Sequence, residues 1–313
     1  MQLRATNQNL GQAQSPSLST TGSPDTVKRS YGYIRSDFGE VRIGDDDDAR
    51  RQKAMTAPIA GPLFGANTPD MLFSSGPGIT NTTMRKLEGE KRVSRLAYFT
   101  PTIAGFSFAF SYAPGGEKGG TGSGNAPNNT PNNGVSVVNN AVSAAGSYSG
   151  KFGDFGLDAY VGASNGHRVY QAPFVNTNVT GRDNPFAASG GGVLTWGPFA
   201  FGGAYEYLYD RDTPVTTAAV SGAHQSRHTW DVGGRYTIGP FAVSLDWTRA
   251  VLNNRNGRSS ARNDVLALST DYVLGPGIDV GIGIDYSHYN SNSLPTDPNY
   301  SGLAIMAGTG IAF

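Results

Sequence analysis

Residues 230–247 read WDVGGRYTIGPFAVSLDW, and the way they alternate decides the fold. Trp230, Val232, Tyr236 and Ile238 share one face of an extended segment, and Asp231, Gly233 and Arg235 share the other. Beyond Gly239–Pro240, Phe241, Val243, Leu245 and Trp247 carry the apolar face onward, with Ala242, Ser244 and Asp246 opposite. A period of two is that of a strand. Glycine permits a chain reversal and proline fixes φ, so Gly-Pro between two such segments predicts a hairpin. Residues 278–286 repeat the pattern, with Ile278, Val280, Ile282, Ile284 and Tyr286 against Asp279, Gly281, Gly283 and Asp285. Every charge in the three segments lies on the face of small residues.

Alternation alone does not separate a soluble sandwich from a membrane barrel, so charge placement and height have to decide. An arginine or lysine facing lipid costs about 2–4 kcal/mol at the bilayer midplane, whereas one facing a wet lumen costs little. The segregation predicts large apolar side chains toward lipid and charges toward water. Trp230 and Ile238 are eight steps apart in the sequence, roughly 26 Å along a strand and about 20 Å of height once tilted, which approaches a bilayer band. Tyr148, Trp196, Phe199, Tyr236, Phe241 and Tyr272 fall near tight turns, and Tyr112, Tyr209, Trp230 and Tyr286 near long polar connections. These predict two aromatic girdles.

The same unit recurs from end to end. About fourteen alternating segments run from near residues 2–8 to 302–313. Short corners at one end (Gly-Pro, Gly-Asp, Ala-Gly) alternate with long Gly-, Asn-, Ser- and Thr-rich connections at the other, the asymmetry of an outer-membrane barrel. Other classes are poorly supported. No stretch approaches the roughly 18 consecutive apolar residues of a spanning helix. Lys plus Arg and Asp plus Glu both number 24 without a basic tract, which argues against nucleic acid as a partner. The absence of Cys removes disulfide frameworks and thiolate metal sites. His167, His224, His228 and His288 are expected in long loops without a carboxylate partner, so no catalytic, cofactor or metal residue is assigned. An outer-membrane barrel enzyme or an adhesin acting through its loops is the competing function; hydrolysis by purified protein, or a plugged barrel without conductance, would favour it.

One connection breaks the hairpin rhythm, running from Asp45 to about Lys91. A segment of that length without strands of its own is usually functional or disordered. Its acidic run Asp45, Asp46, Asp47 and Asp48 reads alternatively as a pore charge cluster, a calcium site or a solvated turn. Strand alternation turns Arg29, Tyr31, Tyr33 and Arg35 inward, likewise Glu40 and Arg42, and also Arg95. The chain closes on GLAIMAGTGIAF, an apolar strand that ends in Phe313. Termini usually fray, so such an end suggests a residue held in a structure.

The stretches RSYGYIRSDFGEVRIGDDDDA (29–49), KRVSRLAYFTPTIAGFSFAFSYAPG (91–115) and the terminal GTGIAF resemble the general porins of Gram-negative bacteria, particularly those of alphaproteobacteria. The resemblance implies a single all-β domain over residues 1–313, an antiparallel transmembrane β-barrel of porin type. It implies a water-filled channel in the cell outer membrane for passive diffusion of ions and small hydrophilic solutes, with no cofactor and no enzymatic activity. It further implies a homotrimer set in outer-membrane lipid, with Phe313 as the label read by the barrel-assembly machinery. Residues 45–91 would fold inward and narrow the pore. Arg29 and Arg95 match constriction arginines; with Arg35 and Arg42 they would face Asp45, Asp46, Asp47, Asp48 and Asp70. Family porins have sixteen strands and carry the long loop after the fifth, whereas here it follows the third segment. That difference, with the lack of a signal peptide, leads to the expectation that two strands and an export signal are encoded upstream of Met1.

Overall fold

The computed structural model of the chain describes residues 2–6, 29–61, 65–67, 75–76, 79–80, 82–83, 93–115, 136–170, 184–210, 225–254, 260–291 and 299–311. Its strands are β1 (Gln2–Thr6), β2 (Arg29–Ser36), β3 (Gly39–Asp46), the short β4 (Ser75–Gly76) and β5 (Ile79–Thr80), then β6 (Val93–Phe99), β7 (Phe106–Ala113), β8 (Ser136–Phe152) and β9 (Phe155–Tyr170). There follow β10 (Phe186–Trp196), β11 (Phe199–Asp210), β12 (Gln225–Ile238), β13 (Phe241–Asn254), β14 (Ser260–Gly275), β15 (Ile278–Ser291) and β16 (Tyr300–Ile311), with one helix, α1 (Ala49–Lys53). Fourteen strands form one sheet in which each pairs antiparallel with its neighbour in the sequence; β4 and β5 pair only with each other. The fourteen alternating segments read from the sequence each fall on one strand of this sheet.

The strands reach further toward the long connections than the alternation indicated. β9 continues to Tyr170 and β14 begins at Ser260. His167, His228 and His288 are therefore strand residues of β9, β12 and β15, a correction to their expected place in loops; His224 lies outside the described residues. Phe313 and Asp70 also lie outside them.

Burial runs opposite to that of a water-soluble protein. Val232 and Leu245 are each 53% exposed, while Asp231 and Asp246 on the other face are 3% and 1% exposed. A wall of bare Ile, Leu, Val and Phe is stable against hydrocarbon and costly against water, so this face is the lipid face. Rings bound it at both ends. Near the short turns Trp196 stacks on Phe155 and on Phe199, each at 6.1 Å, and Phe199 meets Tyr236 at 5.0 Å. Near the long connections Tyr205 meets Trp230 at 5.5 Å and Tyr207 meets His228 at 5.1 Å.

The tight corners follow from backbone chemistry. Trp196 pairs with Phe199 and Ile238 with Phe241, so Gly197–Pro198 and Gly239–Pro240 are two-residue loops. Gly197 and Gly239 have φ of 54° and 55°, and proline holds φ negative at the next position. Positive then negative φ is the type II′ sequence, whose twist matches that of the strands it joins.

Candidate functional site

The segment between β3 and β6 is built around α1. Asp48 caps the helix, its Oδ1 accepting from the Arg51 N–H at 2.7 Å, and Arg50, Arg51 and Lys53 occupy the last turn, where cations suit the helix dipole. The expectation of a connection without secondary structure is thus corrected by α1, β4 and β5. Five residues show no helical periodicity on their own; the cap and the wall contacts hold the turn in place.

Those contacts tie the segment to the face opposite the lipid face. The Ala49 N–H donates to Ser111 Oγ on β7 at 3.1 Å, and the Arg50 N–H donates to Ser143 Oγ on β8 at 2.9 Å. The Arg50 guanidinium reaches Ser164 Oγ on β9 at 3.0 Å, Ser189 Oγ on β10 at 3.2 Å and Glu206 Oε2 on β11 at 2.6 Å. Gly162 leaves room for it, since a Cβ there would lie 2.9 Å from Arg50 Cγ. Arg50 is held above its ordinary pKa: burial opposes the charge, but the Glu206 and Asp48 carboxylates outweigh it. Lys53 donates to Ser107 Oγ at 2.5 Å, and burial pushes its ammonium down.

Further along, the Ala57 N–H and Asn67 Nδ2 both donate to Asp231 Oδ2 on β12, at 2.7 and 2.6 Å. Ala60 N–H donates to Ser244 Oγ at 2.8 Å and Ala66 N–H to Asp246 Oδ2 at 2.5 Å, both on β13. One short run of chain therefore bonds the same face of seven successive strands, β7 to β13, which requires that face to be concave.

Three of the four carboxylates of the acidic run, Asp46, Asp47 and Asp48, are neither a hydrated turn nor free ligands. Asp46 and Asp47 are fully buried and Asp48 nearly so. Arg29 Nη2 donates to Asp47 Oδ2 at 2.6 Å, Arg42 Nη1 lies 3.2 Å from Asp46 Oδ2, and Arg51 Nη1 lies 3.7 Å from Asp47 Oδ1. Arg42 is also bonded to Glu40 and to Gln52 Oε1, and packs over the rings of Tyr31 and Phe99 at 4.9 and 4.4 Å. Arg95 is buried and donates to the Asp46 carbonyl at 2.8 Å and to Ser111 Oγ at 3.3 Å.

Residues 1–292 match the family model described as Gram-negative porin. The chain is a Gram-negative porin. The outer-membrane channel DcaP of Acinetobacter baumannii superimposes with a TM-score of 0.57 at 14% identity, over 92% of this chain and 77% of that one. A porin refined at 1.8 Å resolution gives 0.55 at 15% identity over 90% and 80%, and the anion-selective porin of Comamonas acidovorans 0.50 at 16% over 91% and 76%. At such identities the likeness carries the fold, an antiparallel transmembrane β-barrel. No curated protein matches the chain in sequence. Membership of the family makes this porin an outer-membrane channel for passive diffusion.

Of the residues read as charge partners, the porin brings Arg29, Arg42 and Arg95 against Asp46 and Asp47, in contact rather than across an open gap, while Asp48 caps α1. Two placements are corrected. β3 runs on through Asp46, so Asp45 shares the outward face with Val41 and Ile43, where Ser94 Oγ donates to it at 2.7 Å. Arg35 sits beside the β2–β3 turn with a side chain 70% exposed, paired with Glu40 rather than with the acidic run. The sequence reading missed Arg50 and Glu206. Glu206 was detectable, because the alternation of Tyr205 and Tyr207 turns it inward, where a carboxylate needs a partner.

Proposed function

We propose that this porin conducts ions and small hydrophilic solutes through a water-filled lumen narrowed by the segment between β3 and β6, without catalytic turnover. The observation that carries the reading is the bonding of that segment to β7 through β13 on the charged face, with the apolar face left bare for lipid. A segment tied on that side occupies lumen rather than membrane. Arg29, Arg42 and Arg51, with side chains 32%, 20% and 23% exposed, are the part of the charge cluster that passing solutes meet. Planar-bilayer recording of the purified porin should give stable ohmic steps. Silence from folded protein would favour the adhesin reading, and hydrolysis of peptide or lipid substrates the enzyme reading.

The native assembly proposed is a homotrimer joined through the wall near β2 and β3. Ile34, Val41 and Ile43 are 68%, 41% and 65% exposed there, and their modest size permits close packing. Mass measurement of the detergent-extracted porin should return three copies, and monomers alone would refute the assembly.

A further inference from the structure

On the lipid face of β12 to β16, at the end that carries the long connections, the cross-strand register aligns two rows of side chains. The lower row is Val232, Trp247, Leu266, Tyr286 and Leu303, all apolar or aromatic. The row above it, one pleat nearer the long connections, is Trp230, Arg249, Asp264, His288 and Ser301. Between them lies a cleft of about 470 Å³, lined by Trp247, Arg249, Asp264, Leu266, Tyr286 and His288.

Its charge is unbalanced. Arg249 Nε donates to Asp264 Oδ1 at 2.6 Å and Arg262 Nε lies 2.9 Å from Asp264 Oδ2, so one carboxylate faces two guanidinium groups. Both arginines engage it through Nε, and among the described residues nothing is bonded to their Nη atoms. Their side chains are 37% and 45% exposed, and Arg249 lies over the Trp247 ring at 4.9 Å, which fixes its plane. Elsewhere the described residues on the outward wall of these strands carry no Lys, Arg, Asp or Glu, so a net positive site at this height is a feature of the girdle and not of the wall in general.

We propose that this cleft binds the phosphate of an anionic membrane lipid, with the Nη atoms of Arg249 and Arg262 on the phosphate and an acyl chain along Trp247, Leu266 and Tyr286. Planar guanidinium groups hold phosphate oxygens through paired N–H bonds. The apolar row directly beneath selects a phosphate that carries a hydrocarbon chain over one free in solution. The long-connection end of a bacterial barrel is the extracellular end, so the bound lipid belongs to the outer leaflet.

Native mass spectrometry of the detergent-solubilised porin tests the site, with dioleoylphosphatidic acid, dioleoylphosphatidylcholine and inorganic phosphate as separate probes. Phosphatidic acid should remain bound where the other two do not. R249Q and R262Q should each weaken its retention about fivefold, the effect of one basic residue at a membrane surface. D264N should strengthen it by a similar factor, because the substitution removes the carboxylate that competes for the arginines. A merely structural ion-pair cluster would make all three variants lose retention or none. Equal retention of phosphatidylcholine, full displacement by inorganic phosphate, a loss of retention in D264N, or a change in copy number rather than lipid content in R249Q/R262Q would each overturn the proposal.

Discussion

Replacing Arg50 by methionine should enlarge and destabilise the channel more than any other single change in the loop. The guanidinium is fully buried, its ion pair with Glu206 is 2.6 Å long, and it also donates to Ser164 and Ser189. Removing one partner of a buried pair leaves the other charge uncompensated, a cost of about 3–5 kcal/mol. The stranded Glu206 would draw water beneath α1 and free the helix from β8 to β11. Single-channel conductance should then rise and fluctuate between levels, and unfolding should begin at lower denaturant. The double variant R50M/E206M separates anchoring from general damage, since an apolar pair of similar volume often restores stability. Recovery of both conductance and stability in the double variant is the expected coupling. A steady, unaltered conductance in R50M would mean that the loop is held without this pair.

The barrel was legible because its strands obey one rule throughout: lipid on one side and water on the other force a period of two. Residues 230–247 state that rule completely, and the corners at Gly197 and Gly239 follow from the backbone alone. The loop obeys no period. DARRQK forms a single helical turn, too short for a hydrophobic stripe, and its most important side chain is an arginine that looks like any solvated charge until Ser164, Ser189 and Glu206 are seen to converge on it. Asp45 was misplaced for a related reason. Four consecutive carboxylates look like a loop, yet β3 extends through the second of them and alternation sends Asp45 outward. Nor does alternation tell which strands a crossing segment will meet. It turned Asp231 and Asp246 inward without indicating that they would accept backbone N–H groups from Ala57 and Ala66.

Contact geometry divides the arginines into two kinds, and the division predicts opposite phenotypes. Arg29 keeps about a third of its side chain open and pairs with Asp47, whereas Arg95 is 3% exposed and is spent on the Asp46 carbonyl and Ser111. R29Q removes a positive charge from the lumen side of the cluster and leaves the Asp47 carboxylate in place, so local charge becomes more negative. In a narrow lumen one unit charge acts on a passing ion about 10 Å away through a dielectric between that of water and that of protein, which changes its relative occupancy by about threefold. Reversal potentials under a salt gradient should therefore move toward cation preference in R29Q. They should move toward anion preference in D47N, which removes the carboxylate that Arg29 and Arg51 share. R95Q should leave selectivity near that of the unaltered porin while lowering its resistance to unfolding, because the charge it removes is not presented to solutes. The shifts should shrink as salt rises toward 1 M, where the screening length falls to about 3 Å. A selectivity change in R95Q equal to that in R29Q would place both side chains in the ion path and refute the division.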